Sequence, residues 1–219
     1  DLHSFPTRRS SDLVYEKNKC LVISDEIWSD LTLEGHKHIP TQSVNEYAHE
    51  HTFAFYAPSK TFNLAGLVGS YHIVYNSYLR DRLMEAEKCS HYNSANVLSI
   101  SALMGAYTKE GAEWVDELRE VLTQNVDYAY TYITTHFEGV SVAKAQGTYM
   151  LYLDCSGWLK AHPEMTMDDL IRAGIAVGVV WQDGRPFMNP NTIRMNLAVP
   201  HALVKEAMDR LDKYVFNAK

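Results

Sequence analysis

Two residues at two strand ends raise the first chemical question. Cys20 to Ser24 (C-L-V-I-S) is a short continuous apolar run closed by Asp25-Glu26, the pattern of a strand buried on both faces in a largely parallel sheet. Thr52 to Ala57 is a second β-type run that halts at Pro58, with Ser59-Lys60 immediately beyond. Asp25 and Lys60 therefore fall at the carboxyl edge of one sheet, where open α/β folds bind ligands. A lysine amine can condense with an aldehyde, and a carboxylate can keep an aromatic ring nitrogen protonated so that the ring withdraws electrons. By type and spacing alone, a pair of solvated loop residues accounts for the same pattern.

The elements that must position this pair follow from periodicity. Gly69 to Tyr75 reads as a third strand, and the interval after Ala57 is too short for a crossover helix, so it runs antiparallel to the second. From Ser77 the period changes from two to 3.6, giving helices over Tyr78 to Cys89 and Ala95 to Thr108 around a polar S-H-Y-N-S segment. Glu113 to His136 is a long amphipathic helix with Trp114, Leu118, Val121, Leu122, Ala129, Tyr132 and Ile133 on its core stripe. Beyond Gly139 come strands Val140 to Ala143 and Tyr149 to Leu153, helix Met167 to Ala173, strands Ile175 to Trp181 and Thr192 to Asn196, and helix Ala202 to Phe216. The expected organisation is an α/β domain over residues 14–136, ending in the bridging helix, and a small α/β domain over 137–219.

Composition removes several classes of function. The 219 residues are 46% apolar and 21% charged, as in a globular protein with a sizeable core. The apolar run Ile175 to Trp181, interrupted by Gly178, is far short of the roughly 18 to 20 residues a membrane span requires. Twenty Lys and Arg against 27 Asp and Glu, net charge -7 with no long basic cluster, argue against a nucleic-acid partner. Cys20, Cys89 and Cys155 are odd in number and widely spaced, which fits no disulfide framework or metal knuckle and predicts a reducing cytoplasm. Ten histidines include no H-E-x-x-H pair, and His36 with His38 sits in a polar loop, so no metal is expected. Residues 1–13 stand apart. His3 to Leu13 (H-S-F-P-T-R-R-S-S-D-L) has no periodicity, belongs to nothing downstream and resembles a translated DNA-sequencing adapter. It is read as a non-native leader, with a disordered native tail as the alternative; on the first reading an upstream part of the protein is missing.

Three segments in order carry a family resemblance: S-D-E-I-W-S-D (Ser24 to Asp30), A-P-S-K-T-F-N-L-A-G-L (Ala57 to Leu67) and I-R-M-N-L-A (Ile193 to Ala198). With A-Q-G-T-Y-M-L-Y-L-D (Ala145 to Asp154) and G-R-P-F (Gly184 to Phe187), the chain from about Val14 onward resembles fold-type I pyridoxal-phosphate enzymes. The likeness is to the class I/II aminotransferase superfamily and its cystathionine β-lyase-like branch. The resemblance implies the C-terminal part of a large domain, a mostly parallel sheet with helices, followed by a small α/β domain. It makes Lys60 the Schiff-base lysine, Asp25 the partner of the pyridinium nitrogen and Arg194 the grip on the substrate α-carboxylate. Ile27, two residues past Asp25, packs against the cofactor ring, Ser59 donates to the cofactor phosphate, and Asn63 reaches cofactor or substrate; for Ser59 and Asn63 simple turn roles stay open.

The departures are informative. Many relatives carry a serine three before the lysine and an arginine eight after it, both on the phosphate, where this chain has Ala57 and Val68. Trp28 stands where many have a tyrosine, and an indole N–H can only donate. These features lean towards the C–S lyase branch. The implied activity is β-elimination from cystathionine or a related cysteine S-conjugate, giving thiol, pyruvate and ammonia, in a homodimer acting on a small amino-acid substrate. An aminotransferase is the alternative, and a truncated chain without activity is the alternative of another class.

Overall fold

The computed structural model describes residues 14–90 and 95–218, so the leader at 1–13 and most of the polar S-H-Y-N-S segment lie outside the described residues. The chain divides into two compact units, one of residues 1–32 and 37–116, the other of 33–36 and 117–219. The boundary falls inside the long helix, whereas the sequence places it after His136.

In the first unit, β1 (Val22–Asp25) pairs in parallel with β2 (Thr52–Tyr56), and β2 pairs antiparallel with β3 (Tyr71–Ile73). The antiparallel third strand is as expected, and the sheet is mixed, with one parallel pair among the described strands. β1 departs from its expected burial. Ile23 is 77% exposed, as is Leu21 just before the strand at 56%, and the residues of β1 alternate between a partly covered and an open face. Between β1 and β2 lies a helix the sequence missed, α1 (Glu46–His51), capped where the Asn45 side chain accepts from Ala48 N at 2.7 Å. One helical turn, α2 (Pro58–Thr61), follows β2 at once, with proline at its first position.

α3 (Ser77–Ser90) and α4 (Val97–Ala106) match the expected helices to within two residues, and α4 is capped by Asn96 accepting from Ser99 N at 2.9 Å. α4 is apolar on nearly every side, yet Val97, Leu98, Ile100 and Met104 are exposed. α5 (Lys109–His136) starts four residues earlier than expected.

The second unit holds a four-stranded antiparallel sheet in the order β4-β5-β7-β6, built from β4 (Ser141–Val142), β5 (Met150–Asp154), β6 (Gln182–Asp183) and β7 (Thr192–Asn196). Around it pack α6 (Ser156–Ala161), which the sequence missed, α7 (Met167–Ala176) and α8 (His201–Leu211), which continues into a π-helical turn over Asp212–Phe216. The core joins Leu122, Val126, Ala129 and Ile133 of α5 to Leu151, Leu153, Ile193, Met195, Val204, Met208 and Leu211. The buried α5 stripe is narrower than expected: Trp114 and Val121 are exposed, and Asn125 is fully buried in their stead. Its amide donates to Leu197 O (2.9 Å) and Val199 O (2.8 Å), and its Oδ1 lies 2.9 Å from His201 Nδ1. A buried polar side chain thus satisfies two carbonyls of the backbone that follows β7.

The strand expected over Ile175 to Trp181 is not formed. A capping box between Thr166 and Asp169 starts α7, and the helix runs through Ile175 and Ala176 until Gly178, at φ +82°, ends it. Trp181 then folds back over Gly174, with its indole N–H donating to Ile171 O at 3.2 Å. The apolar run was the last turn of a helix plus its return, which periodicity over seven residues does not separate from a buried strand.

Candidate active site

Asp25 closes β1 in register with Phe55 of β2, and Glu26 N continues the pairing by donating to Phe55 O at 2.8 Å. The Asp25 carboxylate is exposed and accepts only a long 3.3 Å bond from Ile27 N among the described contacts. Paired strands run about 4.8 Å apart, so the end of β1 and the start of α2 share one sheet edge. Lys60 is the third residue of α2, and its Nζ stands 5.6 Å from the centroid of the Trp28 ring, a cation over an aromatic face. The next residue, Thr61, is buried and donates its hydroxyl to Asp30 Oδ2 at 2.9 Å. The segment after β1 thus underlies the turn that carries the lysine. Asp25 and Ile27 lie on the first of these two adjoining segments, and Ser59 and Lys60 on the second.

Asn63 is exposed at φ +54°, the left-handed region that asparagine tolerates, which is the turn role left open for it. Ser59 lends its backbone carbonyl to Leu64 N at 3.1 Å. Val68, at the position of the expected phosphate arginine, is 86% exposed at φ +50°, a costly conformation for a β-branched residue.

The sequence missed Glu26. Its carboxylate is buried and collects four partners: Thr41 N and Ser24 Oγ each donate at 2.9 Å, Tyr56 OH donates at 3.2 Å, and His38 Nε2 lies at 2.6 Å. Burial pushes the carboxyl up, but the bonds from His38, Thr41 and Ser24 outweigh it and hold Glu26 below its ordinary value, charged. Burial, and after it the Glu26 charge, pushes the Tyr56 phenol up to about 12, so it stays a neutral donor. One signal was available: an acid following another acid at the end of an apolar strand, with a histidine in the loop beyond.

Arg194 lies in the other unit, on β7 between Tyr152 of β5 and Gln182 of β6. Its guanidinium carbon sits 4.3 Å from the centroid of Phe187 in the short G-R-P-F turn, a cation over an aromatic face. Neighbouring Arg185 is consumed structurally: its fork bonds Asp183 (2.8 Å) and Asp168 (2.5 Å), and Asp183 is held below its ordinary value by those bonds. The segment after Trp181 is accordingly the short strand β6 and the turn over Arg185–Phe187. A separate group, Glu46, His49 and Glu50 on one turn of α1, gathers metal-type ligand atoms within 4.8 Å, with His49 Nδ1 bonded to Glu50 at 2.8 Å.

With this geometry in hand, comparison with known proteins defines the class. Residues 8–211 match the family Aminotransferase class I and II, and the chain belongs to it. Cystathionine beta-lyase PatB of Bacillus subtilis (strain 168) is 34% identical over 137 residues, which are 63% of this chain and 35% of that protein. An aspartate aminotransferase of Bacillus sp. (strain YM-2) is 24% identical over 201 residues, 91% of this chain and 50% of its own. Among solved structures, the PLP-bound C-S lyase from Staphylococcus hominis superposes with a TM-score of 0.81 at 26% identity, covering 94% of this chain and 52% of that one. The chain spans at most about half the length of these relatives.

Proposed function

We propose that this chain carries the lysine-bearing part of a pyridoxal-phosphate C–S β-lyase acting on cystathionine or a related cysteine S-conjugate. The observation that carries the reading is the placement of Asp25 and Lys60 on adjoining strand ends. A primary amine, a carboxylate and the Ser59 hydroxyl on one sheet edge are the donor set that an aldehyde-bearing, phosphorylated pyridine needs. When bound, that cofactor supplies an electron sink for the substrate Cα.

The residues divide the remaining work. Asp25 keeps a proton on the ring nitrogen, and its solvent exposure leaves it room to accept that partner. Ile27 packs against the ring, Ser59 donates to the phosphate, and Asn63 serves the turn and reaches toward cofactor or substrate. Lys60, standing over Trp28, would hold the cofactor by its aldehyde, and its amine is the base placed to take the substrate Cα proton. Arg194, steadied on Phe187, holds the α-carboxylate by a bidentate fork. Loss of the Cα proton and of the β-thiolate, followed by uptake of water, yields thiol, pyruvate and ammonia. The working form in this reading is a cytoplasmic homodimer.

Two observations favour the lyase over an aminotransferase: higher identity to the cystathionine beta-lyase than to the aspartate aminotransferase, 34% against 24%, and Val68 in place of the phosphate arginine. The aminotransferase stays the second reading because its match covers 91% of this chain. The test compares pyruvate release from cystathionine with 2-oxo acid exchange between common amino acids. Faster pyruvate release is expected, and exchange outrunning it would overturn the lyase assignment.

A further inference from the structure

The turn that carries Lys60 is held from outside itself. α2 has four residues and no side-chain cap at Ala57, and so short a helix does not persist by its own hydrogen bonds. Besides the Leu64 N bond to Ser59 O at 3.1 Å, it is gripped by the segment after β1. Thr61 is 1% exposed, and a hydroxyl so buried is stable only with an acceptor, which Asp30 Oδ2 supplies at 2.9 Å. Two residues before Asp30, Trp28 presents its ring to the Lys60 ammonium at 5.6 Å. The segment is itself anchored at its start, where Glu26 N bonds Phe55 O at 2.8 Å and the buried Glu26 carboxylate accepts from Tyr56 OH, Thr41 N and Ser24 Oγ. Glu26, Trp28 and Asp30 therefore form an anchored rail, and Asp30 is the point at which that rail grips the residue next to the lysine.

We propose that Asp30 is a positioning residue for Lys60, acting through Thr61: its carboxylate fixes the turn so that the amine is presented over Trp28 at the sheet edge. This rests on the assignment of Lys60 as the cofactor lysine. A carboxylate acceptor suits the task, because a charge-assisted bond is shorter and stronger than a neutral one and restricts rotation of the turn. Displacing a reacting group by about 1 Å costs on the order of a hundredfold in reactivity, so a contact one residue away suffices to matter.

The experiment titrates the protein and its Thr61→Val, Thr61→Ser and Asp30→Ala variants with pyridoxal phosphate. It follows the visible band of the lysine-linked cofactor against pH, then reduces with borohydride and maps the labelled peptide. Thr61→Val keeps the shape and removes the donor. It is expected to weaken cofactor linkage roughly tenfold and to displace the pH midpoint of the band, a fraction of the full misplacement cost. Thr61→Ser, which keeps the hydroxyl, should retain both properties of the unsubstituted protein. Asp30→Ala should reproduce Thr61→Val, and the double variant should be no worse than either alone, since both remove one interaction. Asp30 is less buried than Thr61, so Asp30→Ala carries the measurement if Thr61→Val does not fold. An unchanged midpoint in either disruptive variant, or a Thr61→Ser protein as impaired as Thr61→Val, would overturn the inference while the label stays on Lys60. Label on a different lysine in the unsubstituted protein would overturn the cofactor reading and this inference with it.

Discussion

Arg194 and Glu26 show two ways in which one charged side chain can serve this molecule. Arg194 lies over the Phe187 ring, its guanidinium carbon 4.3 Å from the centroid. If it holds the substrate α-carboxylate, Arg194→Ala removes a charge-assisted bidentate contact and should lower kcat/KM by roughly thirtyfold to a thousandfold, about 2 to 4 kcal/mol. Steady-state kinetics with cofactor binding measured in parallel checks this; unchanged kcat/KM would move the role to another residue. Glu26 faces inward, and its value is structural. Its folded-state value lies below its ordinary one of 4.5, so the stability it contributes is fully present above about pH 4.5 and is lost as pH falls through the depressed folded value. Glu26→Gln turns an acceptor of several donors into a group that must donate from one arm, and should cost about 2 to 4 kcal/mol at neutral pH. Urea denaturation at pH 7 and at pH 4 should show the gap between the two proteins narrowing in acid; a pH-independent gap would mean that Glu26 is not held charged.

At the scale of elements, α7 and its return loop depend on a close approach. A Cβ on Gly174 would lie 2.4 Å from the Trp181 ring, and Trp181 is itself buried, so the ring would have to move. Alanine in a helix interior gains about 1 kcal/mol over glycine, but overpacking costs about 1 to 3 kcal/mol. Gly174→Ala should therefore destabilise the protein and shift tryptophan fluorescence, read by chemical denaturation. A stabilised variant would show that Trp181 does not lie over α7. The same element shows where periodicity is ambiguous: Ile175 to Trp181 is apolar enough for a strand, and the Thr166 cap together with Gly178 makes it a helix end.

For the whole molecule, the open apolar surface on α4 bears on assembly. Ten residues with almost no polar face are ordinarily buried all round, yet Val97, Leu98, Ile100 and Met104 stand exposed. If the contact of the proposed homodimer runs over this helix, the exposed side chains are what it would bury. Replacing Leu98 and Met104 together by aspartate should shift the sedimentation of the protein towards the monomer while leaving its far-ultraviolet circular dichroism intact. An unaltered association state would separate α4 from the dimer contact. Among the described residues no helix is long and apolar enough to cross a membrane, so this apolar surface is not a membrane span.

What the sequence determined by itself was whatever depends on neighbours along the chain. The strand ends at Asp25 and Tyr56, the antiparallel return of β3, helices α3 to α5 and the strand of Arg194 are each written in local periodicity and in proline and glycine punctuation. The three ordered segments around Asp25, Lys60 and Arg194 carried the family. What only the tertiary structure decided is what depends on groups far apart in sequence. Glu26 finds Tyr56 thirty residues away, Asp30 finds Thr61 thirty-one away, and Asn125 finds Leu197 and Val199 more than seventy away. An acid, an amide or a hydroxyl has the same side chain whether it meets water or a buried partner. Its energy differs by several kcal/mol between the two, and only the folded chain selects which environment it has.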